Sequence, residues 1–296
     1  PLMSLTAIIL LTLSAILHAT WNFLTKRSLA SAAFFVIALS PVSLFTSPVL
    51  FLHTSTLQTL PVTFWVLIAA TGFFEALYML GLSRAYRLGD MSLAYPLVRA
   101  LPILLVVFIS IALGRGEALS MLGVSGMFLV TVGCLMLPLQ TFKGWSLKSY
   151  FTPVMFWIVV TAFAVAGYTV VDDIAIRFLR QTLAVAPSTI LYTFFQASST
   201  ILFLLLYLLF DKSERSVKLK DIPIACTVGL LSALTYALVL AALAFVKDVS
   251  YANAFRQLSI PIGALLGMWL AKEPRYFPKL VGITVMFAGL ICIMLG

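Results

Sequence analysis

Two arginines lie within apolar segments, where a charge is costly unless it faces protein or water. Arg99 follows Tyr95 by four positions, and Arg256 follows Asn253 by three and is followed by Gln257. These spacings place each set on one face of a helix. A guanidinium is permanently charged and binds carboxylate or phosphate oxygens in pairs. Because ionisable groups inside apolar segments normally face a bundle interior or a wet cavity, we predict that both sets bind an anionic substrate.

Other polar side chains interrupt four further apolar segments. They are His18, Trp21 and Asn22 in the first segment, Glu75 and Tyr78 in the third, Tyr168 and Asp172 in the sixth, and Tyr236 in the eighth. We predict that these residues line the same substrate-binding cavity as the two arginine-bearing faces.

A purely structural interpretation is open for each of these residues. Arg99 could pair with Glu75, and Arg256 with Asp172, as buried salt bridges. His18 could be a packed, hydrogen-bonded histidine, and the aromatic side chains could simply fill the bundle. The sequence alone does not decide between these interpretations.

The elements that must position these residues are membrane-spanning helices. The chain is 62% hydrophobic and 10% charged, with a mean hydropathy of +1.11, outside the range of soluble domains. Apolar runs of roughly 18 or more residues predict spanning helices. They lie near Leu2–Leu24, Ala32–Leu52, Val62–Ser83, Met91–Leu113, Ala118–Leu139, Phe151–Ile176, Thr189–Phe210, Ile222–Val246, Val249–Leu270 and Phe277–Leu295. The predicted fold class is therefore an all-α integral membrane protein with ten transmembrane helices.

A pattern of one glutamate and two glycines occurs twice, displaced by 156 positions. Its members are Glu117, Gly126 and Gly133 in the first copy and Glu273, Gly282 and Gly289 in the second. Ten helices in two copies give five per unit, and an odd number of crossings inverts the second unit. We predict five-helix repeats at residues 1–142 and 143–296, integrated into one transmembrane domain. The glycines predict close helix packing, and the glutamates predict helix caps or dipole partners.

Basic residues are unequally distributed between the two sets of loops. Thirteen lie in the loops after odd-numbered helices and four in the loops on the opposite side. The excess predicts that the first set is cytoplasmic and that both chain ends lie outside. It also accounts for the net charge of +9 without a nucleic-acid partner. The long polar connection from Asp211 to Asp221 is interpreted as a solvated loop without a chemical role.

The chain carries no signature of a cofactor, a metal site or ATP hydrolysis. Its three cysteines, Cys134, Cys226 and Cys292, lie singly in apolar segments without pairing or metal spacing. Neither a phosphate-binding loop nor a dinucleotide or metalloprotease motif is present. We therefore expect no cofactor, no metal and no enzymatic activity.

Several short motifs resemble the EamA branch of the drug/metabolite transporter superfamily across the whole chain. They are His18-Ala-Thr-Trp21-Asn22 with Lys26, Ala85-Tyr86-Arg87-Leu88-Gly89-Asp90, Tyr95-Pro96-Leu97-Val98-Arg99 with Pro102, Tyr168-Thr169-Val170-Val171-Asp172, and Arg256-Gln257-Leu258-Ser259. The resemblance implies a ten-helix transporter whose first, third, fourth, sixth, eighth and ninth helices surround a central cavity. It also implies transport of small metabolites without ATP, in the inner membrane of a bacterium. Gln257 stands where the family pattern often has glutamate, and the loop charges give an orientation opposite to the usual family drawing.

These observations together predict a secondary active transporter, either an exporter or an exchanger, that works by alternating access around a central cavity. The expected substrate is a small polar organic metabolite, anionic or zwitterionic, resembling an amino acid, an organophosphate or a phosphonate. Glu75 and Asp172 could accept an ammonium group or a coupling proton, and His18 could relay a proton. The expected partners are this solute, the bilayer and, if transport is coupled, protons, with the chain a monomer or weak dimer. A flippase for lipid headgroups or lipid-linked sugars is the main alternative, and a membrane-embedded enzyme is less favoured.

Overall fold

The structure, a computed structural model, describes residues 3–26, 31–88, 91–137, 139–143, 153–270 and 275–295. The described residues form 13 α-helices joined by short 3-10 turns and loops. These helices are α1 Leu5–Lys26, α2 Ala32–Thr46, α3 Val49–Leu52, α4 Thr54–Thr59, α5 Val62–Leu88, α6 Met91–Ala112, α7 Met121–Met136, α8 Pro153–Arg180, α9 Val185–Phe210, α10 Ile222–Ala242, α11 Val249–Phe255, α12 Ser259–Leu270 and α13 Phe277–Leu295. Within this part of the chain, the only β-type pairing is an isolated bridge between Met3 and Val246.

Many of these helices are long and apolar enough to cross a membrane. Six stretches of the described residues meet that condition, and three more apolar helices are shorter. The six stretches are Ala32–Leu52, Val62–Ala85, Met155–Arg180, Val185–Phe210, Leu219–Phe245 and Phe277–Leu295. The protein is thus an all-α integral membrane protein that crosses the membrane several times, as predicted, while the number of ten spans stays a prediction.

The ninth predicted span is broken in its middle. α11 ends at Phe255, a 3-10 turn covers Arg256–Leu258, and α12 begins at Ser259. Pro261 lacks the N–H that would bond the carbonyl of Gln257, and its ring crowds that carbonyl. The break therefore has a local cause in the sequence, and it places Arg256 on a turn between two short helices.

The long helices pair between the part of the chain before residue 143 and the part after it. α7 packs along α13, α5 along α8, α1 along α10, and α2 along α9. Each pair thus contains one helix from either part, so the two parts interleave rather than forming separate bodies. The boundary between two five-helix repeats stays a prediction.

Four glycines form the contact between α7 and α13, which we call the glycine seam: Gly126, Gly133, Gly282 and Gly289. A Cβ atom added to Gly126 would lie 2.6 Å from the carbonyl oxygen of Gly289. One added to Gly133 would lie 2.6 Å from the carbonyl oxygen of Gly282. The backbones therefore touch, which confirms the predicted close packing. Because the earlier glycine of α7 meets the later glycine of α13, the two helices run antiparallel.

The start of α7 differs from its prediction. The Ser120 side chain caps this helix by accepting a hydrogen bond from the Gly123 N–H at 2.9 Å. Glu117 lies earlier, in the 3-10 turn Gly116–Ala118, so it does not cap α7. The second predicted cap, Glu273, lies outside the described residues.

Candidate functional site

A central cavity lies among α1, α2, α5, α8, α9 and α10, with about 840 Å³ of empty space including its open part. Predicted site residues that line it are His18, Trp21, Glu75, Tyr78, Tyr168, Tyr236 and Arg256. Apolar side chains of α2, among them Phe35 and Leu39, complete the wall. The family resemblance did not include the second and seventh predicted helices among those around the cavity. In the structure these helices are α2 and α9, and both contribute lining residues, so the implied set is corrected.

A second, smaller cavity adjoins the first, with about 290 Å³ of empty space including its open part, and we call it the arginine cavity. Its lining contains Arg99 and Arg256 together with Asn253 and Gln257. The two arginines, which belong to different predicted repeats, thus share one cavity. Tyr78, Tyr168 and Arg256 line both cavities and therefore form the wall between them.

One predicted site residue that the structure describes, Asp172, lines neither cavity. Asp172 is fully buried, with 0% of its surface exposed, and lies behind the central cavity. The side chains of Asn22 and Tyr95 lie outside the described part of the chain.

Asp172 is the acceptor at the centre of a buried polar cluster. One carboxylate oxygen accepts hydrogen bonds from the hydroxyls of Thr71 and Tyr192, the latter at 2.7 Å. The other accepts the Gln196 amide N–H at 3.1 Å and the Tyr236 hydroxyl. These four donors come from three helices, α5, α9 and α10. Hydrogen bonds to an ionised carboxylate are the stronger kind, so this arrangement suits a carboxylate that keeps its charge.

Arg256 is held by an aromatic ring instead of by Asp172. Among the residues that the structure describes, Arg256 and Asp172 form no ion pair. The guanidinium carbon lies 5.1 Å from the centre of the Tyr236 ring, within the range of a cation–π interaction. The structural interpretation that pairs Arg256 with Asp172 is therefore wrong, whereas the pairing of Arg99 with Glu75 stays a prediction.

Gln196 links the two candidate coupling carboxylates. Its amide nitrogen donates to Glu75 at 3.3 Å as well as to Asp172. Glu75 lines the central cavity while Asp172 does not, so only Glu75 is placed to meet a solute there. Gln196 was not predicted as a site residue, although Tyr192, Gln196 and Thr200 at four-residue spacing form a polar stripe on a largely apolar helix.

The wall between the cavities is aromatic and rigidly packed. The rings of Tyr78 and Tyr168 meet edge to face at a centroid distance of 5.8 Å, and those of Tyr168 and Tyr236 at 5.7 Å. Arg256 lies over the last ring of this row. At the side of the central cavity, His18 and Trp21 make a similar contact at 4.9 Å. These contacts fix the shape of the cavity before any ligand enters.

The connection from α9 to α10 forms a polar latch, which we define as Asp211 and Glu214 with Arg84 and Arg87 of α5. Arg87 contacts Glu214 at 2.6 Å, and Arg84 contacts Asp211 at 2.9 Å. Glu214 is only 3% exposed and also accepts the backbone N–H of Ala32 at 3.1 Å. The interpretation of this connection as a merely solvated loop is therefore wrong. Its hydrogen bond with Glu214 raises the pKa of Arg87.

Ion pairs also join helices at the opposite end of the bundle. Asp173, buried near the end of α8, contacts Arg115 at 2.5 Å and Arg177 at 2.9 Å. Asp248 caps α11 and accepts the Ser110 hydroxyl at 3.0 Å, which links α11 to α6. Polar contacts thus tie the helices together at both ends, with the cavities between them.

Comparison with known proteins informs the fold and not the chemistry. No family model matches the chain, and no curated protein matches it by sequence. A crystal structure of another protein matches with a TM-score of 0.69, covering 98% of this chain and 96% of that chain at 18% sequence identity. Likeness at this identity shows a shared fold alone.

Proposed function

We propose that the protein is a secondary active transporter of a small polar organic metabolite that carries an anionic group. The observation that carries this proposal is the arginine cavity, where Arg99 and Arg256 line one enclosed space. A carboxylate or phosphate between the two guanidiniums would be held by charge-assisted hydrogen bonds. The enclosed site and its position between two tied ends suit a carrier better than an open pore.

Glu75 gives the site an acidic group beside the basic ones. It lines the central cavity, where an ammonium group of a zwitterionic solute or a coupling proton could reach it. Asp172 has four donors, so we assign it the role of a fixed charge that orients Tyr236 and Gln196. Among the coupling candidates Glu75 is therefore the first choice, with His18 in the same cavity as a relay.

The architecture that we propose is ten spans in two inverted five-helix repeats, as in EamA-type transporters. The glycine seam supports it, because its two helices carry the duplicated glycine pattern and run antiparallel. A repeat whose second copy is inverted would give this relation. We further propose a bacterial inner membrane location with both chain ends outside, on the strength of the loop charges.

Alternating access would open the two ends in turn around a fixed site. The latch adjoins the central cavity, since Ala32 and Arg87 lie within a few residues of the lining residues Phe35 and Leu82. Opening at that end would break the contacts of the latch, and opening at the other would break those of Asp173. Each state would then be stabilised by the ion pairs of its closed end.

Transport by arginine variants tests the proposal. A thermal-shift screen of purified protein against amino acids, organophosphates and phosphonates would first select a solute that stabilises the folded state. In vesicles, Arg256→Ala and Arg99→Ala should each slow uptake of that radiolabelled solute by about 10- to 100-fold, the loss expected for hydrogen bonds to a charged group. The matched control is Arg275→Ala, at an exposed position. Parent rates in both well-folded cavity variants would refute the arginine site.

A further inference from the structure

Two side-chain amides in the arginine cavity carry buried polar atoms that have no hydrogen-bond partner within the part of the chain that the structure describes. Asn253 and Gln257 are 1% and 3% exposed. Among the described residues, neither Nδ2 of Asn253 nor Oε1 of Gln257 finds a partner. Such orphaned groups are rare in folded proteins because they are costly. Both residues line the arginine cavity, so a ligand bound there could supply the missing hydrogen bonds.

The orientation of the Gln257 amide follows from its one internal hydrogen bond. Its Nε2 donates to the backbone carbonyl of Asn253 at 3.2 Å. A carbonyl can only accept, so turning the amide over would lose this bond. The acceptor oxygen Oε1 is therefore the atom left for the cavity, and it requires a donor from the ligand.

The remaining polar groups of the arginine cavity have the opposite requirement. The guanidiniums of Arg99 and Arg256 can only donate, and Nδ2 of Asn253 donates as well. A ligand that contacts these donors as well as Oε1 of Gln257 must offer acceptor oxygens on one side and an N–H or O–H on another.

On the basis of the proposed function, we infer that the arginine cavity selects an anionic headgroup that carries its own proton donor. The acceptor oxygens of this headgroup meet Arg99, Arg256 and Asn253, and its O–H or N–H meets Oε1 of Gln257. Monoprotonated phosphate or phosphonate groups and α-hydroxy or α-amino carboxylates have this chemistry. Sulfate, sulfonate and simple carboxylate groups lack the donor at neutral pH and bind more weakly.

The arrangement of the two cavities divides the ligand into two parts. The smaller arginine cavity receives the headgroup, and the larger central cavity lies on the other side of the shared wall. The shared wall of Tyr78, Tyr168 and Arg256 lies where the two parts of a ligand would join. The substrate therefore carries its donor-bearing anion at one end and a less polar body at the other.

Matched pairs of small anions test this inference without knowledge of the full substrate. The probes are inorganic phosphate against sulfate, and glycolate against acetate, measured by calorimetric titration of the purified full chain near neutral pH. In each pair, the member with the O–H should bind at least tenfold more tightly, because a site built for a donor rejects the analogue that lacks it. Gln257→Met removes the acceptor at similar length and should abolish the preference. Gln257→Glu retains an acceptor but adds a negative charge and loses the bond to the Asn253 carbonyl, so it should weaken binding of all four anions and keep the preference within each pair. Gln58→Leu on the exposed surface of α4 is the control.

Three results would overturn the inference: equal affinity within each pair, no detectable binding of any of the four anions, or a preference that survives in Gln257→Met. If Gln257→Met does not fold, loss of the preference in Gln257→Glu contradicts the inference by itself. The outcome is separate from that of the proposed function. A clear preference in binding with no transport in vesicles would refute the carrier and leave the headgroup site. Transport without the preference would support the carrier and refute the headgroup site.

Discussion

The glycine seam and the cluster around Asp172 hold the same bundle together by opposite means. In the seam, the backbones of α7 and α13 touch with no side chain between them. In the cluster, one carboxylate gathers four side chains from three other helices. The seam positions repeat after 156 residues, whereas the position 156 residues before Asp172 is occupied by Ile16. The glycine pattern thus recurs where backbones meet, whereas the acceptor of the polar cluster has no counterpart at the same displacement.

The arginines show the same divergence in a milder form. Arg256 lies 157 positions after Arg99, one more than the displacement of the seam, and the position that corresponds strictly is Phe255. Arg256 also lies on a 3-10 turn, while Arg99 lies within α6. The two halves therefore present the same chemical group on different backbone supports, which allows them to play unequal roles in one cavity.

Gly133→Ala should give the largest effect, because it places a side chain where the seam has none. The new Cβ would lie 2.5 Å from Cγ of Met286 and 2.6 Å from the carbonyl oxygen of Gly282. Backbone on both sides leaves little room to repack, so we expect a loss of about 3 kcal/mol, the upper end of the range for overpacking. This exceeds the gain of about 1 kcal/mol from replacing a helical glycine. Thermal melting of the detergent-purified protein is the measurement.

The control for this substitution is Gly116→Ala, since a Cβ at Gly116 would meet nothing within 4 Å. Binding of a stabilising solute per folded molecule should stay unchanged in Gly133→Ala, because the seam does not line either cavity. Equal melting temperatures for the two alanine variants would show that the seam is not a tight contact and would end the contrast with the Asp172 cluster.

Tyr192→Phe and Tyr236→Phe should give intermediate effects that sharpen the comparison. Each removes one hydroxyl donor to Asp172, and we expect each to cost about 2 kcal/mol, as for hydrogen bonds to charged groups. Tyr236 also lines the central cavity and lies beneath Arg256, whereas Tyr192 is fully buried. Both variants should therefore lose a similar amount of thermal stability, but only Tyr236→Phe should also transport more slowly. Equal transport by both variants would argue against a link between the cluster and the site.

Sequence patterns predicted the features that depend on spacing. The duplicated glycines implied a tight helix contact, and the polar faces around Arg99 and Arg256 implied positions that the structure brings to one cavity. Both inferences rest on helical periodicity and on the cost of a charge in lipid. A proline such as Pro261 can kink a helix, although the 3-10 turn that positions Arg256 became visible only in the structure.

The missed features depend on contacts between distant parts of the chain. Apolar residues such as Phe35 and Leu39 suit lipid as well as a cavity wall, so their types did not reveal that α2 lines the central cavity. Gln196 belongs to a polar stripe that is visible in the sequence. Its role as a link could be recognised only once the positions of both Glu75 and Asp172 were known. Glu214 lies 127 positions from its partner Arg87. Because the contact joins distant parts of the chain, no local sequence pattern predicts that this loop residue is buried.

The smallest effect concerns pH and separates the latch from the seam. The hydrogen bonds from Ser213 and Tyr207, followed by the charge of Arg84, lower the pKa of Asp211 below its ordinary value, which is about 4. The folded protein therefore binds this proton less readily than the unfolded chain. The stability that Asp211 contributes is fully present above its ordinary pKa and is lost as pH falls through the lowered, folded-state pKa. Contacts of the glycine seam involve backbone atoms and uncharged side chains such as those of Met286, Ile293 and Val130, so they have no such dependence.

Asp211→Asn should accordingly lower the melting temperature slightly at neutral pH, with a difference from the parent that shrinks as the pH falls below about 4. Ser213→Ala removes the hydroxyl, which is the leading donor to Asp211, and should reproduce part of this change. The deficit of Gly133→Ala should be the same at every pH at which the protein remains folded. A deficit of Asp211→Asn that is constant across the acid range would mean that Asp211 supports the latch through shape alone. The latch would then belong with the seam, as a contact whose strength does not depend on charge.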